Sequence, residues 1–275
     1  MTIALARPVR IGVQVAPQHV PYEAIRDTVA ELEDLGVDII FNWDHFFPLS
    51  GDPGGRHFEG WTMLAAWAEQ TRRVQFGPLV SCNSYRNPDL LADMARTVDH
   101  ISAQGGEGRL IFGIGSGWCE RDYQEYGYEF GTVGSRLDDL AQALPRIRRR
   151  WQNLNPAPTR DIPVMIGGGG EKKTLRLVAE HADIWHSFSD VPTLEHKLTV
   201  LAQWCERFGR DPAAIEISTG ASARDGIDNS FFTVIDQQYD LGARLFTLSI
   251  GGPNVHLAPV RELLSWRDGK NSTAP

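Results

Sequence analysis

Short apolar runs and stretches with helical period alternate along the chain from one end to the other. The first run, residues 10–15, leads into a helix over about 21–35 that Gly36 stops. Residues 38–42 form a second run, followed by a long loop and a short helix over about 61–70. The third run is 74–82. Its helix starts near Pro88 and carries Leu91, Met94, Ala95, Val98 and Ile101 on one face. The pattern then repeats: 110–114 with a helix at 137–151, 163–166 with 172–181, 183–188 with 193–208. The last two pairs are 215–219 with a helix at 231–241, and 244–250 with one at 255–266.

Eight β-then-α units follow one another with no linker between halves. Most runs are apolar on both faces, as expected of parallel strands covered by helices. The pattern predicts an α/β fold, a single (β/α)8 TIM barrel over residues 1–275. An open Rossmann sheet is the alternative, but no G-x-G-x-x-G follows the first strand, where a dinucleotide fingerprint belongs.

Composition changes this picture little. A hydrophobic share of 42% and a charged share of 23% are those of a globular chain. The net charge of −8, with both signs interspersed, disfavours nucleic acid as a partner. The one basic cluster, Arg146, Arg148, Arg149 and Arg150, falls at a predicted helix end, where cations complement the dipole. Cys82, Cys119 and Cys205 are far apart and read as free thiols of a reducing compartment. Arg7 and Arg10 interrupt the apolar start, and no run approaches a membrane span. The expectation is a cytoplasmic protein with a small-molecule substrate, no membrane partner and a homodimer as the commonest oligomer.

In a barrel of this kind, chemistry sits just past the carboxyl ends of the strands. Four places qualify. Trp43-Asp44-His45-Phe46 follows the second strand, and a histidine beside a carboxylate can handle protons near neutral pH. A ring simply packed beneath the loop reads equally well. Gly113, Gly115, Ser116 and Gly117, ending in Trp118, follow the fourth strand, where glycines let backbone approach a planar ring or a phosphate. Gly167, Gly168, Gly169 and Gly170 lie between the fifth strand and a helix, where free amides bind anions. Leu79, Val80 and Asn83 end the third strand and could wall a ring, or be ordinary core.

In order and spacing these pieces resemble the luciferase-like monooxygenase family of flavin enzymes and enzymes that use the deazaflavin coenzyme F420. The matching stretches are Trp43-Asp44-His45, Ser84 through Pro88, Asp99 through Ser102 to Gly108-Arg109, and Gly113 through Trp118. Glu125 to Gly127, Arg136, Pro163 through Gly170 and Ala182 through Trp185 continue them. The resemblance implies a barrel with the ring across the strand ends and its phosphate near Gly168, Gly169 and Gly170. It implies a non-prolyl cis peptide in the third strand, by position Leu79-Val80, and a histidine near the reacting carbon, which maps onto His45. Two departures stand out. Trp118 replaces the acid that follows the glycine loop in related sugar-phosphate dehydrogenases, and Ser116 stands near where luciferases carry a phosphate-binding arginine.

The leading expectation is F420-dependent hydride transfer, with His45 carrying a proton and Trp43, Phe46 and Trp118 shaping the substrate pocket. Asp44, Leu79, Val80, Asn83, Gly115, Ser116, Gly117, Gly168, Gly169 and Gly170 would contact the cofactor. The alternative is an FMN-dependent monooxygenase. A metal-dependent hydrolase or isomerase could use Asp44, His45, Asp52, His57 and Glu59, yet no H-x-H or H-E-x-x-H pair is present and no metal is expected. A non-catalytic ligand-binding barrel stays open, since fold does not fix function.

Overall fold

The computed structural model describes residues 7–221, 227–252 and 255–273; the ends of the predicted domain span and residues 222–226 and 253–254 lie outside them. The strands are β1 Arg10–Val15, β2 Ile39–Asn42, β3 Gln75–Pro78, β4 Ser81–Cys82, β5 Phe112–Gly115, β6 Val164–Gly167, β7 Ile184–Ser187, β8 Glu216–Ala221 and β9 Ala243–Ile250. They form one sheet in the order β3-β2-β1-β9-β8-β7-β6-β5-β4, and every paired register is parallel. The sheet closes where Phe76 bridges Leu110 and the Ile111 amide donates to the Phe76 carbonyl at 2.8 Å. This is the predicted TIM barrel.

Nine strands replace eight because the third run is broken. β3 pairs with β2 and β4 pairs with β5; between them the Leu79-Val80 peptide is cis, as the resemblance implied. Strands approach so closely here that a Cβ on Gly77 would strike the Ile111 carbonyl, and one on Gly113 the Pro78 carbonyl. Only glycine permits that contact.

Each strand turns alternate residues inward and outward. Ile39, Phe41, Leu79, Ile111, Met165, Ile184 and Leu245 pack together inside the barrel. A second, larger core includes Val13, Ile40, Trp67, Phe112, Trp185 and Phe246. Both faces are therefore dry, which is why the runs read as apolar throughout. At the opposite end from the expected site, Arg109 is a staple: its guanidinium donates to the carbonyls of Ala68, Thr71, Val74 and Ser102.

The helices are α1 Tyr22–Asp34, α2 Gly60–Gln70, α3 Pro88–Ala103, α4 Glu120–Tyr126, α5 Val133–Asn153, α6 Thr174–His181, α7 Val191–Phe208, α8 Asn229–Asp240 and α9 Ala258–Thr273. Sequence periodicity passed over α4, whose two turns are too short to show a face, and which Gly127 ends at φ +70°. It also set the next helix at 137, whereas α5 begins at Val133 because Thr132 and Ser135 form a capping box. Conversely, α6 begins at Thr174 rather than 172. The Arg148, Arg149 and Arg150 side chains are exposed near the end of α5, as the charge pattern predicted. Among the described residues no helix is long and apolar enough to cross a membrane.

Candidate active site

Past the carboxyl ends of the strands opens a cavity of about 490 Å³. Of the residues singled out in sequence, Asp44, His45, Leu79, Val80, Gly115, Ser116, Gly117, Trp118 and Gly168 line it. Ser81, Cys82 and Gly167, from the same strand ends, join them, and His186 and Phe188, which sequence reasoning passed over, complete the lining.

His45 follows β2 on a loop fixed from both sides. The Asn42 amide group donates to the Gly60 carbonyl and the Asn42 carbonyl accepts from the Leu79 amide, both at 2.8 Å. Beside His45, the buried Asp44 carboxylate takes two hydrogen bonds from Arg86, at 2.7 and 2.9 Å, and one from the Cys82 amide. Arg86 also donates to Glu59, which caps α2. The Asp44 oxygens are thus committed to joining β2, β4 and α2, although the residue borders the cavity.

The partner of His45 comes from α4. Asp122 is fully buried, and its Oδ2 lies 2.6 Å from His45 Nδ1. Tyr85 Oη donates to the same oxygen at 2.9 Å and the Phe46 amide to Oδ1 at 3.2 Å. Burial works to raise the Asp122 carboxyl, but the hydrogen bonds from His45, Tyr85 and Phe46 outweigh it and hold the group below its ordinary value. A carboxylate only accepts, so Nδ1 carries the hydrogen and the neutral ring keeps a bare Nε2. Burial pushes the Tyr85 hydroxyl up, which keeps it a donor. Asp122 thus places an acid four residues after Trp118. Trp118 itself is 67% exposed and packs edge-to-face on His45 at 5.4 Å.

The glycines near β5 make room chiefly for the protein's own atoms. A Cβ at Gly113, Gly115 or Gly167 would come within 3.3, 2.9 and 3.2 Å of the Val80 side chain. Val80 thus sits in a notch left by three glycines on two neighbouring strands. Gln14, at the end of β1, holds the adjoining Leu79 carbonyl at 2.9 Å. Gly117, at φ +80°, leaves space for Tyr123 and Cys82.

Gly168 and Gly169 are tied to the sheet and helices. The Gly168 amide donates to the His186 carbonyl at 3.1 Å, and its own carbonyl accepts from Trp185 Nε1 at 2.8 Å. Lys197 of α7 donates to the Gly169 carbonyl, which sets a cation beside the turn, and α6 begins without a side-chain cap. Gly169 and Gly170 are outside the cavity lining.

The remaining expected residues lie elsewhere. Asn83 faces a neighbouring cavity of about 850 Å³ beside α5, with its Oδ1 buried and unpartnered. Phe46 stacks on Tyr126 at 3.9 Å. Trp43 donates from Nε1 to His57 at 3.0 Å, and burial lowers the His57 ring to about 4. The imagined metal set is dispersed: Asp44 and Glu59 hold Arg86, His57 accepts from Trp43, and Asp52 closes a turn on Gly54. A different trio, His45, Cys119 and Asp122, has donor atoms within 4.8 Å of one another, but two of these already share a hydrogen bond.

Comparison with known proteins adds a family to this geometry. A model of the luciferase-like monooxygenases matches residues 1–224. An F420-dependent glucose-6-phosphate dehydrogenase of Amycolatopsis mediterranei is 26% identical over 178 residues, 58% of this chain and 52% of that one. One from Intrasporangium calvum is 30% identical over 186 residues, covering 61% and 52%. The matches thus span about half the length of these relatives. Among solved structures, an F420-dependent secondary alcohol dehydrogenase with an F420-acetone adduct superposes at TM-score 0.79 and 16% identity, covering 93% of this chain and 98% of that one. The oxygenating part of a Pseudomonas putida diketocamphane monooxygenase with FMN gives 0.68 at 14%, covering 98% and 99%. At such identities the structural likeness speaks for the fold.

Proposed function

This chain belongs to the luciferase-like monooxygenase family, and from that premise we propose that it is a coenzyme F420-dependent oxidoreductase acting on a small organic substrate. The observation that carries the proposal is the cavity at the strand ends with one histidine held for proton work. Asp122 fixes His45 through Nδ1 and leaves Nε2 free to accept a proton from a substrate hydroxyl or, once charged, to return it. F420-dependent enzymes among the similar sequences support the choice of cofactor, as does Ser116 where luciferases place a phosphate-binding arginine.

The residues suit a planar ring with an anionic tail. The cavity is walled by Leu79, Val80 and the backbone of Gly115, Gly117 and Gly167, with no Lys or Arg among the described residues of its lining. Gly168, Gly169 and Gly170, on the turn that precedes the uncapped α6 and lies beside Lys197, would hold the phosphate. When bound, such a ring supplies hydride donation and acceptance. The protein orients the partners, shields them and moves the proton at His45 Nε2.

Titration of the purified protein with coenzyme F420 and with FMN, followed by fluorescence, tests this. Saturable quenching of the deazaflavin with weak FMN uptake is expected. Tight FMN binding without a deazaflavin response would overturn the assignment in favour of an FMN monooxygenase.

A further inference from the structure

We propose that His186, across the barrel mouth from His45, presents a neutral Nε2–H to the cavity and donates it to a carbonyl oxygen of the bound molecules. The inference rests on the reading that this cavity holds a redox ring and its substrate. Around the closed sheet, three strands lie between β2 and β7 in either direction, counting β3 and β4 as one. The two histidines therefore stand on opposite sides of the mouth.

Alternation along β7 sets the direction of the side chain. Ile184 belongs to the inner core and Trp185 to the outer one, so His186 points inward, one layer nearer the mouth than Ile184. It is 2% exposed and borders the cavity. Nδ1 lies 2.8 Å from Ser218 Oγ, while Nε2 is buried with no hydrogen-bond partner among the described residues. Buried polar atoms are rarely left so, and one on a cavity wall is a place for a ligand atom.

Ser218 decides which hydrogen bond is missing. Its side chain is fully buried, and among the described residues His186 Nδ1 is the acceptor within reach of its hydroxyl. The hydroxyl hydrogen goes there, so the ring hydrogen resides on Nε2. Burial lowers the ring to about 3, so it is uncharged at neutral pH. A lone neutral donor suits a carbonyl better than a phosphate or carboxylate, which call for cations. Phe188, 74% exposed, packs edge-to-face on His186 at 4.6 Å in space that Gly220 leaves open.

The carbonyl can belong to the ring or to the substrate, and two variants separate these sources. His186→Phe removes the donor and keeps a flat side chain; His186→Gln keeps an N–H. Ring affinity is read by titration with coenzyme F420 and FMN, and carbonyl uptake by saturation-transfer NMR with cyclohexanone on the ring-loaded protein. An about tenfold loss of ring affinity in the Phe variant, recovered by Gln, assigns the ring carbonyl. Unchanged ring affinity with lost cyclohexanone contact assigns the substrate. If the folded Phe variant loses neither, the inference is overturned, and if it fails to fold, a Gln variant matching wild type in both readouts supports the donor while a Gln variant that has lost both overturns it. Nitrogen-15 NMR of the apoprotein is an independent check: a hydrogen on Nδ1 of His186 overturns the donor. Should the wild type take up neither ring, the functional reading falls, and the tautomer measurement still decides this one.

Discussion

His45 and His186 face each other across one cavity and are held in opposite ways. His45 Nδ1 meets the Asp122 carboxylate at 2.6 Å; His186 Nδ1 meets the Ser218 hydroxyl at 2.8 Å. The carboxylate forces a hydrogen onto Nδ1 and offers a counter-charge, so His45 can gain a proton on Nε2. The hydroxyl gives its hydrogen to Nδ1 and offers no charge, so His186 remains neutral with a hydrogen on Nε2. In the proposed function, one residue type thus serves as proton carrier on one side and fixed dipole on the other. The difference lies in the neighbour, not in the ring.

Substitutions can break this contrast, starting with the proton carrier. His45→Ala should cut F420 turnover roughly a thousandfold while cofactor affinity, read by titration, stays within about twofold. Unchanged turnover would remove His45 from the chemistry. Asp122→Asn keeps a side chain of the same shape but removes the charge. An about hundredfold loss in kcat is expected, with the pH profile of kcat displaced; a loss without displacement would leave Asp122 a merely structural prop.

Gly169→Val probes the other end of the cofactor. The nearest atoms to an added Cβ belong to the flexible end of Lys197, at 3.1 Å, so folding should survive. Affinity for the deazaflavin should fall about tenfold with kcat at saturation nearly unchanged. An unaltered Kd would place the phosphate elsewhere.

Acid melting offers the mildest test. Both His57 and His186 titrate lower in the folded chain, near 4 and near 3, than the ordinary 6.5. Between those values the unfolded chain binds protons that the native one refuses. The stabilisation is complete above about 6.5 and is lost as the pH falls toward the folded values. The melting temperature should therefore drop from pH 6.5 to pH 4, and His186→Phe should flatten the drop.

Much of this arrangement was legible in sequence because one physical rule governs it. Parallel strands buried on both faces read as apolar runs, and residues just beyond them meet at one mouth; His45, Val80, Ser116 and Gly168 did so. Asp122 was hidden because it sits on a helix too short to show periodicity, 77 positions from its partner. His186 was hidden within a run taken as uniformly apolar, although its spacing of two from Ile184 marks the same inward row. Asn83 was placed with Leu79 and Val80 by adjacency, yet the chain turns between Cys82 and Asn83 and carries it to the next cavity. Trp43 and Phe46 were read as pocket walls by proximity to His45; their rings instead serve His57 and Tyr126.

The glycine notch that receives Val80 gives the barrel mouth an adjustable depth. One valine fills the gap between the two strands, and the backbone around it is already as spare as glycine allows. A chain carrying alanine at position 80 would gain room without moving a strand, and one carrying isoleucine would lose it. Accommodating a thicker or thinner guest is then a matter of one codon.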